Sequence, residues 1–60
     1  MQYINGQQVS AKAAQDHWLT HCLMAGWDLE EARAIWVRAI HPDGEEARDI
    51  MIEAGIEITH

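Results

Sequence analysis

Gln2-Tyr3-Ile4-Asn5-Gly6-Gln7-Gln8-Val9 is the stretch on which the fold turns. Asn5-Gly6 is the strongest two-residue signal for a type I′ turn, since both central residues of that turn need positive φ. A two-residue loop pairs Ile4 with Gln7, Tyr3 with Gln8 and Gln2 with Val9. Ile4 and Val9 then share one face, which can pack on helices, and Tyr3 lies on the other. A hairpin this short is not stable alone in water, so it needs a third strand and an apolar cover. Ile56-Glu57-Ile58-Thr59 alternates apolar and polar as a half-buried strand should, and the free place for it is an edge of the hairpin.

The residues between hairpin and closing strand supply the cover. Ser10 is a good N-cap for a first helix from about Ala11 to Ala25, with Ala11, Ala14, Trp18, Cys22 and Ala25 at helical spacing and Leu19 and Leu23 widening the stripe. Gly26 fits the left-handed position after that helix, and a Schellman motif would fold Trp27 back towards Cys22. Asp28 opens a second helix, with Glu31 completing a capping-box pattern and Leu29, Ala32, Trp36, Ala39 and Ile40 as its apolar stripe. His41 precedes Pro42 and ends it. Asp43-Gly44-Glu45-Glu46 repeats the acidic start for a third helix near Glu45 to Ala54, whose stripe is Ala47, Ile50, Met51 and Ala54. Gly55 stops it. The reading is a single α+β domain over residues 1–60, in the order ββαααβ, with a small sheet covered on one face by three short helices. An all-α three-helix domain with frayed ends is the alternative.

Size sets the next expectation. A chain of 60 residues buries only about 60% of its unfolded surface, which leaves a marginal core. Cys22 is the one cysteine, so no disulfide staples it, and no structural-zinc spacing of Cys and His replaces one. Self-association is the remaining common route to stability, and a homodimer is expected. Three tryptophans (Trp18, Trp27 and Trp36) serve a core or an interface equally well.

Charge narrows the partners. Ten acids stand against four Lys and Arg, for a net charge of −6. Nine of those acids and all three arginines lie between Asp28 and Glu57, so the second half carries the whole net charge. Free nucleic acid needs a basic footprint that is missing, and direct nucleic-acid binding is not expected. A negative side attracts basic protein surfaces and speeds encounter with them. No apolar run reaches the length of a membrane span, the opening residues lack a signal peptide's basic and apolar regions, and a lone thiol fits a cytoplasmic setting.

Catalytic and metal chemistry find little support. His17 and His21 stand one helical turn apart and could ligate a metal with Cys22 or Met24 nearby, but His-Trp-Leu-Thr-His lacks the glutamate base of the zincin pattern. A polar border beside the apolar stripe explains both histidines. Cys22 falls within that stripe, where free cysteine behaves as a small hydrophobe. The paired acids Glu30-Glu31 and Glu45-Glu46 sit in first helical turns, where the helix dipole favours them. The expectation is a protein that is not an enzyme and uses no cofactor.

The opening Tyr3-Ile4-Asn5-Gly6 hairpin, the capped helices at Asp28-Leu29-Glu30-Glu31-Ala32-Arg33 and Asp43-Gly44-Glu45-Glu46-Ala47-Arg48, the closing Gly55-Ile56-Glu57-Ile58 strand and the acidic balance resemble very small phage-encoded anti-defence proteins. These include anti-CRISPR proteins and short inhibitors of the Hachiman defence system. The resemblance is one of architecture, length and charge. It implies stoichiometric inhibition of a bacterial defence protein, often by a homodimer, in the host bacterial cytoplasm. Candidate contact residues are Trp36, Ile35, Val37 and Ile52, with Tyr3 and Trp27 behind them. Glu30, Glu31, Glu45 and Glu46 are candidates for steering a basic target. The alternative function is a homodimeric structural or regulatory module with no effector target.

Overall fold

Asn5 and Gly6 both adopt left-handed backbone, with φ of 51° and 84°, and form the two-residue turn that the sequence requires. The computed structural model describes residues 1–59, and its elements run β1 (Gln2–Ile4), β2 (Gln7–Val9), α1 (Ala11–Met24), α2 (Leu29–Ala39), α3 (Glu45–Met51), a single 3-10 turn (Ile52–Ala54) and β3 (Ile56–Ile58). The hairpin register is the expected one, Gln2 with Val9, Tyr3 with Gln8 and Ile4 with Gln7. β3 pairs antiparallel with β1 through Gln2–Ile58, Tyr3–Glu57 and Ile4–Ile56. The sheet order is therefore β2-β1-β3, and the fold is the α+β arrangement, not the all-helical alternative.

The period of two along the strands places Ile4, Val9, Ile56 and Ile58 towards the helices. Ile56 and Ile58 are buried, and Ile4 and Val9 pack against the core from its margin. α1 and α3 lie against this sheet, and the main neighbours of α2 are α1 and α3. Each helix turns small residues inward: Ala14 from α1, Ala32 and Ala39 from α2, Ala47 from α3. Small contact residues let helix backbones approach closely, and the volume between them is filled by Trp18, Trp36 and Met51. Trp18 also donates its indole N–H to Ala32 O at 2.9 Å, so the largest buried ring carries no orphan donor.

Caps explain where the helices begin and end. Ser10 Oγ accepts from the Ala13 amide, and the Asp28 carboxylate accepts from the Glu30 amide. At the end of α1 the Trp27 amide reaches Cys22 O at 2.9 Å and the Gly26 amide reaches Leu23 O at 3.1 Å, which is the Schellman pattern. The start of α3 departs from expectation. Its N-cap is Gly44, with no side-chain cap, and Asp43 belongs to the preceding turn. The cause is crowding: a Cβ on Gly44 would stand 1.5 Å from Arg38 O, so the chain turns there on a residue with no side chain.

The end of α3 also differs. The α-helix stops at Met51 and its last turn tightens to a 3-10 turn, closed by Gly55 at φ +76°. Several apolar residues assigned to helix stripes lie outside: Ala11, Leu23, Ala25, Ile40 and Ile50 are exposed. A helical stripe tells which face turns inward but not how wide a band the neighbours cover. Here that band is narrow.

Candidate functional site

The residues proposed for contact differ in exposure. Trp36 is only 6% exposed and belongs to the core, and Ile35 is half-buried against it. α2 points its alanines and Trp36 at the same neighbours, so Trp36 fills the core. Val37, Ile52 and Trp27 are exposed, Ile52 most of the three at 63%. Tyr3 is half-buried on the open face of the sheet. Sequence reasoning missed Leu23 and Met24, of which Met24 is 85% exposed. Both precede the Schellman turn, and with Trp27 they give the end of α1 an apolar character. Trp27 packs edge-on to Trp18 at 6.2 Å between ring centroids, so this end is tied to the core.

The four acids named as steering candidates lie in first helical turns, Glu30 and Glu31 in α2, Glu45 and Glu46 in α3. All four are exposed. Their placement near helix N-termini stabilises the helices and leaves their charge facing solvent.

The histidines have structural partners. His17 Nε2 donates to Ala54 O at 2.9 Å, tying α1 to the turn before β3. His21 stacks on Trp18, with 6.0 Å between centroids and 19° between planes. Among the described residues no three His, Cys, Asp or Glu side chains converge as a metal site would need. Cys22 is 1% exposed, and burial pushes its thiol pKa above the ordinary value.

Arg48 has a role that its sequence position conceals. Its guanidinium donates to Ala39 O at 3.1 Å, His41 O at 2.7 Å and Pro42 O at 3.2 Å, so α3 holds the last carbonyl of α2 and two carbonyls of the turn that follows. The equivalent residue of the other Glu-Glu-Ala-Arg run, Arg33, is exposed. A cation at a helix C-terminus also complements its dipole.

Two surface hollows stand out among the described residues. One, of about 300 Å³, is lined by Arg38, His41, Asp43 and Gly44 at the α2–α3 turn. The other, of about 410 Å³, lies between α3 and β3, where Ile56 and Ile58 meet Asp49, Ile52 and Glu57. It joins apolar surface, the carboxylates of Asp49 and Glu57, the Arg48 side chain and the side of a strand. Among the described residues no helix is long and apolar enough to cross a membrane. No protein-family model matches the chain, no curated protein does, and no solved structure does.

Proposed function

We propose that this is a small acidic protein-binding inhibitor, of the kind phages encode against bacterial defence, which blocks a bacterial immune effector by stoichiometric binding and not by catalysis. The observation that carries the reading is the set of large apolar side chains left outside a completed core: Leu23, Met24, Val37 and Ile52 are each more than half exposed. Exposed apolar anchors on a chain whose Glu30, Glu31, Glu45 and Glu46 are also exposed suit a basic protein surface, since the first supply affinity and the second supply encounter rate. The likeness in layout to phage anti-defence proteins supplies the class of target and a bacterial cytoplasmic setting.

A homodimeric structural or regulatory module is the second reading. It is favoured by the same exposed residues on a chain with so small a core.

The test is capture with the tagged protein from nuclease-treated lysate of bacteria carrying several antiviral defence systems. One effector should be recovered, and its own purified activity should fall to zero at a fixed molar ratio of inhibitor. Salt and the substitutions Glu30→Lys and Glu31→Lys should weaken capture. Recovery of the protein alone assigns it to the self-associating class.

A further inference from the structure

β1 lies in the middle of the sheet, so β3 has one side paired and the other facing no strand among the described residues. The ladder fixes which main-chain groups lie on that outer side. Met1 and Thr59 exchange both of their backbone hydrogen bonds, at 2.6 and 2.8 Å, and the Asn5 amide donates to Gly55 O at 2.8 Å. In an antiparallel ladder such pairs alternate with pairs whose main-chain groups point away from each other. Tyr3–Glu57 is the bonded pair between them. The N–H and C=O of both Ile56 and Ile58 therefore point outward, into the groove beside α3. The other edge offers less. The two-residue turn makes Ile4–Gln7 a bonded pair, so of the β2 residues only Gln8 directs its main chain outward.

We propose that the β3 edge, with the groove beside α3, takes an extended segment of a partner protein as a fourth strand carrying Lys or Arg opposite Glu57. Edge strands are ready templates for another chain, and strand addition draws affinity from main-chain bonds and specificity from alternate side chains. Here Glu57 is exposed on the strand and Asp49 lines the groove. Arg48 lines it too, but directs its guanidinium at the carbonyls of Ala39, His41 and Pro42. The charge left for an incoming strand is negative. Ile52, on the groove wall, meets an apolar side chain of that strand.

A second copy of the chain fits poorly. The register that uses the outward groups of both Ile56 and Ile58 sets Glu57 against Glu57 of the copy, at about 4.5 Å between Cα atoms. Like charges directly opposite are destabilising. A basic guest strand turns the same position into an attraction.

This inference rests on the protein-binding reading, and its test separates the two. The full chain, isotopically labelled, is titrated by NMR with a synthetic peptide of alternating Val and Lys, and with its Val and Glu counterpart. The Val-Lys peptide should shift the Ile52, Ile56 and Ile58 amides, and the Val-Glu peptide should not. Glu57→Gln should weaken binding about two- to fivefold, and Glu57→Lys should reverse the preference between peptides. A chain made by chemical synthesis with an N-methyl group on Ile58 keeps every side chain and should lose binding, with an unchanged spectrum of the helices. Absence of shifts at β3, or equal binding by the N-methylated chain, overturns the proposal. If the N-methylated chain still captures an effector from lysate, the edge assignment falls and the inhibitor reading stands. If no effector is captured while the Val-Lys peptide docks at β3, the inhibitor reading falls and the edge assignment stands.

Discussion

Gly44 and Gly55 are both required, for different physical reasons. Gly44 is buried, and any Cβ would strike the Arg38 carbonyl, which the backbone of α2 holds in place. Gly55 has φ of +76°, and a Cβ there would come within 2.2 Å of Asn5 Oδ1, the end of a side chain that can move. Gly44→Ala should therefore cost about 3 kcal/mol by overpacking. Gly55→Ala should cost about 1 kcal/mol, and Gly55→Val about 2–3 kcal/mol, because a β-branched residue resists the left-handed region. Urea unfolding of the three variants checks the ranking. Cys22 gives a second prediction. Its folded-state pKa is raised by burial, so its contribution to stability is complete below the ordinary thiol value of 9.0 and is lost as pH rises through the raised one. Stability should decline on the alkaline side of pH 9, and Cys22→Ala should flatten that limb at a cost of about 1 kcal/mol in packing. Thiol reagents should modify the native protein only as fast as it opens.

At the scale of elements, the hinge between α2 and α3 depends on one side chain. Arg48→Met keeps most of the apolar stem but leaves the carbonyls of Ala39, His41 and Pro42 without their charged donor. A loss of about 2 kcal/mol is expected in thermal or urea unfolding. Arg48→Lys should recover only part of it, since a point charge cannot serve three carbonyls from one plane. What was legible in the sequence follows the same division. Asn5-Gly6, Ser10, Gly26, Asp28 and Gly55 act on their immediate neighbours, and each does what its type dictates in isolation. The alternation of Ile56 and Ile58 needed only one partner, and the hairpin was the one available. Asp43 misled because a local preference for capping met a contact from residue 38, which spacing does not show. Leu23 lies outside although it belongs to its stripe, and Trp36, both a stripe residue and a contact candidate, lies inside, for a related reason: a helical wheel ranks directions and is silent on how far each neighbour reaches. The groove beside β3 was invisible, since its walls come from residues in α3, the 3-10 turn and the last strand, brought together only by folding.

At the scale of the whole molecule, exposed apolar residues on an acidic surface make opposing demands. Burying them favours association, and the net charge of −6 opposes contact between identical copies. If self-association supplies stability, the melting temperature should rise with protein concentration, and rise more steeply at high salt, where repulsion is screened. A single melting temperature across a wide range of concentration, from a protein that sediments as a monomer, overturns the homodimer. The meeting of Met1 with Thr59 bears on how the chain is strung. A few added residues would bridge them and close the polypeptide into a ring, which could then be cut between Gly26 and Asp28, a segment outside every helix and strand. In such a permutant β3 and β1 become a local hairpin, and the most distant closure in the native order turns into the nearest. Folding should accelerate, since a short loop is cheaper to close than one spanning the whole chain. The same compact body would be reached by a different route.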